Sequence, residues 1–196
     1  MKSSPAKVVI VGAGSDIARE LTPLLHGCTV RAFTSKDLDV TDPVRMHRIS
    51  MEKPDILISF AGVISPEAVT GGSISSWHRQ IQVNLLGQFN VTHAALQGNA
   101  RCRVVLIGSS AARKPRATWS AYCAAKAGLV MFVQCLVAEG VDAWCLNIGR
   151  TATKMRRGLF PDEDQRTLMT PGQVAQEIVA ILSDRRVERV SWVSCN

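Results

Sequence analysis

The sequence predicts an α/β fold: one doubly wound parallel sheet of about six to seven strands, with helices on both faces. Two observations predict it. Short β-branched runs alternate with stretches of helical periodicity from residue 7 almost to the end, which is the pattern of parallel strands joined by crossover helices. Polar and glycine positions also recur just past the ends of those runs, at Gly12, Ser59, Ser109 and Gly149. In such sheets ligands bind at the carboxyl ends of the strands. At 196 residues the chain fits a single domain, 1–196, with a sizeable core.

Composition narrows the function classes. Hydrophobic residues make up 46%, which excludes a disordered chain. No apolar run approaches about 20 residues, so no membrane span is predicted. Residues 1–7 are polar and lack a signal-peptide core. None of the six cysteines form Cys-x-x-Cys, and several, such as Cys145, sit inside apolar runs. This pattern predicts reduced thiols in a cytoplasmic protein, without disulfides and without a metal. The net charge of +7 suits either nucleic acid or small anions. No helix clusters basic residues among interleaved aromatics, which argues against nucleic acid.

Taken in order, residues 7–11 (Lys-Val-Val-Ile-Val) read as a buried parallel strand. Gly12-Ala-Gly14-Ser15-Asp16-Ile17 then turns the chain into a helix reaching to about residue 26. A glycine turn there lets backbone N–H groups approach a pyrophosphate at the helix N-terminus. Pro23 falls inside that helix and predicts a bend. Residues 28–33 are the second strand. Residues 34–42 follow with too few positions for a crossover, which needs about a dozen. The helix between strands two and three is therefore missing, and the third strand is reduced or absent. Thr41 or Asp42 caps the next helix, with Pro43 in its first turn. Residues 55–60 form another strand, and the loop 63–73 reads as mobile. Ser75 is the predicted cap of a long helix over 77–96. Strands over 101–107, 143–148 and 189–194 and helices over 120–139 and 171–183 complete the pattern, Thr170 capping the last helix.

The chemistry concentrates between residues 109 and 126. Tyr122 and Lys126 are four apart on a predicted helix, so they share a face. An ammonium ion beside a phenol favours the phenolate, which predicts a Tyr122 pKa brought down from about 10. Ser109, thirteen residues upstream at a strand end, can reach the same point and bind an oxygen where charge develops. Ser110 is adjacent, and the offset alone selects Ser109.

With the glycine turn, Asn84, Ser109, Tyr122 and Lys126 in this order, the chain resembles the short-chain dehydrogenase/reductase family from about Val8 to Val193. The resemblance implies a Rossmann-like fold, NAD(P)-dependent hydride transfer between a carbonyl and an alcohol, and a homodimer or homotetramer built on the two long helices. It implies catalytic roles for Ser109, Tyr122, Lys126 and Asn84, the last ordering a proton-relay water. Cofactor contacts are implied for Gly12, Gly14, Ser15, Asp16, Ile17, Asp39, Val40, Ala61, Gly62, Gly149, Thr151 and Thr153, as well as Tyr122 and Lys126. Of the family's Gly-x-x-x-Gly-x-Gly only Gly12 matches; Asp16 and Ala18 stand at the other two glycines. Phe60 replaces an Asn and Ile148 a Pro. Ser35 takes the place at the second strand end where NAD-preferring members carry an acid, and Lys36 follows. This favours NADP(H) over NAD(H), with Asp37 as the competing ribose partner. A short lid is implied over about 150–170. Arg113, Lys114, Arg116, Arg150, Lys154, Arg156 and Arg157 rim the expected mouth and suggest an anionic substrate. The alternative reading is a cofactor-sensing or scaffold protein on the same fold, without turnover.

Overall fold

In the computed structural model, which describes residues 4–184 and 187–194, the sheet grows outward from β1 (Lys7–Val11). It pairs with β2 (Thr29–Phe33) on one side and β3 (Ile56–Ser59) on the other. β4 (Arg103–Ser109), β5 (Ala143–Ile148) and β6 (Val190–Val193) extend the sheet beyond β3, all in parallel, giving the order β2-β1-β3-β4-β5-β6. Winding reverses between β1 and β3, so the switch-point crevice opens at their carboxyl ends. Cys195 lies outside the described residues.

Side chains alternate across a strand, so each strand feeds both faces. Val8, Ile10, Ile58, Val105 and Trp144 pack against α1 (Asp16–Leu21) and α7 (Pro171–Ser183). Val9, Leu57, Val104 and Leu106 pack against α2 (His47–Glu52), α4 (Gly87–Gly98) and α5 (Ser120–Ala138). Burial on both faces is why the strands read as unbroken apolar runs. The expected double winding is therefore present, with six strands.

Between Phe33 and Ile56 no strand forms among the described residues, as the short spacing requires. Leu38 and Val40 instead fold into the core beneath α4. A 3-10 turn (Pro43–Met46), capped by Asp42, leads into α2.

Several boundaries differ from the sequence reading. α1 ends at Leu21, and Pro23 lies in a 3-10 turn, because proline cannot supply the next helical N–H. Ser73, not Ser75, caps α3 (Ile74–Ile81). Glu67 accepts from the Ser73 backbone N–H and holds that cap, while Ser75 sits inside the helix with its hydroxyl on that of Ser73. The predicted long helix is also broken by a π segment, Gln82–Leu86, before α4. α7 starts as expected, with a reciprocal cap between Thr170 and Gln173. By length and composition alone, the 19-residue α5 is apolar enough to cross a membrane. In this fold its Leu129, Val133 and Leu136 pack into the core.

Candidate active site

The glycine turn is built around one residue. Gly12 adopts φ 76°, and a Cβ there would stand 2.8 Å from the Ala61 nitrogen. The N–H groups of Gly12 and Ala13 both donate to the Phe33 carbonyl, which ties the turn to β2. Ser15 caps α1 by accepting from the Ala18 N–H. Gly14 has open space around it and no left-handed φ. Gly12→Ala should therefore lower the urea midpoint by the equivalent of about 2 kcal/mol or more. Gly14→Ala should leave it within about 1 kcal/mol.

Asp16 does not cap α1. Its carboxylate accepts from the Lys154 N–H and pairs with Arg157 at 3.7 Å. The acid that replaces a family glycine thus fastens the turn to α6 (Lys154–Leu159), a helix capped by Thr153. The Thr153 hydroxyl is engaged as that cap and also donates to the Thr151 carbonyl.

A cavity of about 440 Å3 runs along the strand ends. Gly12, Gly14, Ser15, Asp16 and Ile17 form its floor, and Ala61 and Gly62 one wall. At one end stand Thr34, Ser35, Asp39, Val40 and Arg79; at the other, Tyr122, Lys126 and Thr153. Lys36 is exposed and does not line it. Asp37 is turned away from it: both the backbone N–H and the hydroxyl of Thr34 donate to its carboxylate, at 2.9 and 2.6 Å. Those bonds hold its pKa below the usual range. Arg79 was not foreseen. It reaches from α3 to the Thr41 hydroxyl at 3.0 Å and to Asp39 at 3.5 Å. In sequence it is an ordinary cation on a polar helix face, and only the fold carries it to this cleft.

The three reactive side chains converge. The Ser109 hydroxyl, which accepts from the Ala111 N–H at 3.2 Å, stands near enough to the Tyr122 hydroxyl to lower its pKa. Lys126 is buried and donates from Nζ to the Ile107 carbonyl at 2.8 Å. The ammonium lies 5.7 Å from the Tyr122 ring centroid. Burial pushes the phenol above its ordinary pKa, and the nearby Ser109 hydroxyl pulls it partly back. Burial also pulls Lys126 down to about 8. This corrects the sequence reading: desolvation outweighs the cation, whose Nζ is committed to Ile107.

Tyr122, Ile148, Thr153 and Met155 line this cavity and also a second one of about 580 Å3. Ser109, Gly149 and Thr151 line only the second. Tyr122 thus belongs to the wall that the two chambers share. Behind Ser109 stands a further residue missed in sequence. The buried Asn147 accepts from the Ser109 N–H at 3.2 Å and donates to the Ser191 carbonyl at 3.3 Å. An Asn within the apolar β5 run was the available signal.

Asn84 does not leave its amide free for a water. Its Nδ2 donates to the carbonyls of Val63 and Gln80, and its Oδ1 accepts from the Val63 N–H. Gln80 treats Ser65 in the same way, receiving its N–H and donating to its carbonyl. Two side-chain amides, one turn apart, thus pair with the loop as a neighbouring strand would. The start of the loop after β3 is held, not loose. Phe60, where an Asn was expected, donates its N–H to Val11 and packs on the α1 side of the sheet. Gln88 holds the Ala61 carbonyl at 2.8 Å.

The sequence matches the short chain dehydrogenase family model over residues 2–164. The chain belongs to the short-chain dehydrogenase/reductase family. Among the family's characterised members, the 2,3-dihydro-2,3-dihydroxybenzoate dehydrogenase of Bacillus subtilis is 32% identical over 117 residues, 56% of this chain. That match covers 45% of the Bacillus enzyme, less than half its length. The Escherichia coli enzyme of the same name is 29% identical over 190 residues, spanning 84% of this chain and 77% of its own. A short chain dehydrogenase of Shigella flexneri, solved with NADP, superposes with a TM-score of 0.83 at 21% identity, covering 95% of each chain. At that identity the likeness speaks for the fold.

Proposed function

We propose that this protein is an NADP(H)-dependent dehydrogenase that interconverts a carbonyl and an alcohol on a small anionic substrate. The observation that carries the reading is Tyr122 standing as the shared wall between a long glycine-floored cavity and a second, cation-rimmed one. A dinucleotide fits the first: Gly12 leaves no room for a side chain against Ala61, which lets backbone line the floor. Ser15, Ile17, Asp39, Val40 and Gly62 would hold it, with Lys126 at the nicotinamide ribose. Solved neighbours carrying NADP or NADPH support this cofactor class. Asp37, the acid that would favour NAD, is turned onto Thr34, which supports the NADP preference.

When bound, the nicotinamide supplies or accepts the hydride. In reduction, Tyr122 Oη gives its proton to the carbonyl oxygen, so hydride and proton together make the alcohol. Ser109 donates to that oxygen as charge builds on it. Lys126 sits beneath the phenol ring. Asn84 positions the loop at residue 63, and Asn147 positions Ser109. Two relatives act, by name, on a benzoate-derived acid and another on an acyl-carrier-protein thioester, which supports an anionic substrate. Leu86 and Phe89 at the start of α4 and Met131 on α5 are exposed, which supports pairing of this face in a homo-oligomer. The test is NADPH absorbance loss against a panel of carbonyl acids. Turnover with NADPH exceeding that with NADH is expected. Equal or better use of NADH would overturn the cofactor preference, and no turnover with either would overturn the activity.

A further inference from the structure

Two of the four cations that line the second cavity, Arg150 and Arg156, already have an acid partner. Arg156 Nε and Nη2 grip Glu163 at 2.6 and 2.7 Å, and its guanidinium lies 4.0 Å from the Phe160 ring centroid. Arg150 donates to the same carboxylate at 3.3 Å. Arg157 is drawn to Asp16. Arg113 covers Trp192 at 3.9 Å and does not line the cavity. Arg156 and Arg150 thus brace one wall through a shared acid, and Arg157 and Arg113 are drawn away from the chamber.

Arg116 is different. It lines the cavity with its guanidinium 4.8 Å from the Trp119 ring centroid and 5.1 Å from that of Phe160. Among the described residues it has no carboxylate partner, and no Asp or Glu lines the chamber. Trp119 in turn stands edge-on to Tyr122 at 5.7 Å. The fork is therefore joined to the phenol through one indole. Between Arg116 and Trp119, Thr118 takes φ 67°, a conformation rare for a β-branched residue. Its carbonyl is held by the Glu67 N–H, which fixes the loop that presents the fork. A guanidinium stacked on a ring keeps its in-plane N–H donors free and aimed, which suits a planar carboxylate better than a lysine would.

We propose that Arg116 is the specificity-determining residue of this chamber. It takes the carboxylate of the substrate while the reacting carbonyl or hydroxyl lies against Ser109 and Tyr122. Lys114, also unpaired among the described residues, adds charge at the rim. The proposal rests on the dehydrogenase reading for the identity of the reacting group and commits that reading to a carboxylate-bearing substrate.

The test pairs binding with turnover. Benzoate and benzamide are titrated calorimetrically into the protein with saturating NADP+. Benzoate should bind at least about tenfold tighter, a margin suited to a charge-assisted fork. Arg116→Gln should erase that preference, Arg116→Lys should keep part of it, and Arg113→Gln, outside the cavity lining, should leave it intact. Equal binding of the two probes, or a preference that survives Arg116→Gln, would overturn the proposal. In parallel, NADPH oxidation is followed with carbonyl acids and their methyl esters. Acids and esters turned over alike, with Arg116→Gln indifferent to both, would overturn the anchor and keep the dehydrogenase. An Arg116-dependent benzoate preference without turnover of any carbonyl would keep the anchor and remove the dehydrogenase.

Discussion

Replacing Tyr122 by Phe should lower turnover roughly 100- to 10,000-fold while leaving NADPH binding almost unchanged, because one hydroxyl is lost and the ring that walls both chambers remains. Fluorescence titration of NADPH and steady-state kinetics separate the two effects. The phenol sits above its ordinary pKa because packing disfavours its anion. It is therefore protonated at neutral pH and ready to act as an acid. The reverse reaction needs the phenolate, so alcohol oxidation should climb with pH through the alkaline range in the wild type. In Tyr122→Phe that climb should vanish. A variant that retains more than about a tenth of wild-type turnover would remove the phenol from the mechanism.

The second large effect concerns Lys126, and its sign is opposite for stability and for activity. The folded protein lowers its pKa to about 8 from 10.5. Between those values the unfolded chain holds a proton that the folded chain has released. The Lys126 contribution to stability therefore rises with pH across that window, by up to about 3 kcal/mol in all, and its full penalty is felt below about pH 8. Lys126→Met removes the titration. The buried thiols Cys102 and Cys145, pushed up by burial to about 12 and about 11, lower stability over the same range in both proteins. The lysine is therefore read from the difference: the denaturant midpoint of the wild type should gain on that of the variant from pH 8 to 10.5, and at pH 7 the variant should be at least as stable as the wild type. Turnover should nevertheless fall by orders of magnitude with the loss of the ammonium. A wild-type-minus-variant difference that does not change over that window would show that Lys126 is not desolvated as the fold places it.

Much of this was legible in the sequence, because it depends on local pattern. Parallel strands buried on both faces announce themselves as short β-branched runs, and the i, i+4 spacing of Tyr122 and Lys126 follows from helix geometry. The reduced region after β2 was legible from arithmetic, since 34–42 is too short for a crossover. What escaped depended on contacts between distant segments. Asp16 and Lys154 are 138 positions apart, yet they meet because α6 folds back over the glycine turn. Arg79 and Asn147 carry no local signature for the places they occupy. The Tyr122 shift was misjudged because spacing places a charge nearby but says nothing about solvent removal. The cap of α3 was misplaced by two residues because Ser73 and Ser75 are equally plausible in sequence, and Glu67 decides between them.

The truncated region after β2 leaves that strand at the margin of the sheet, with Thr29, Arg31 and Ala32 exposed. An uncovered margin of extended backbone invites another molecule to add a strand to it. Arg31, which reaches Glu52 at 3.3 Å and lies over the Phe33 ring, puts a bulky cation on that border. Copies meeting edge to edge would have to displace that bulky, ion-paired side chain, so shortening the chain here does not leave a bare strand open to pairing.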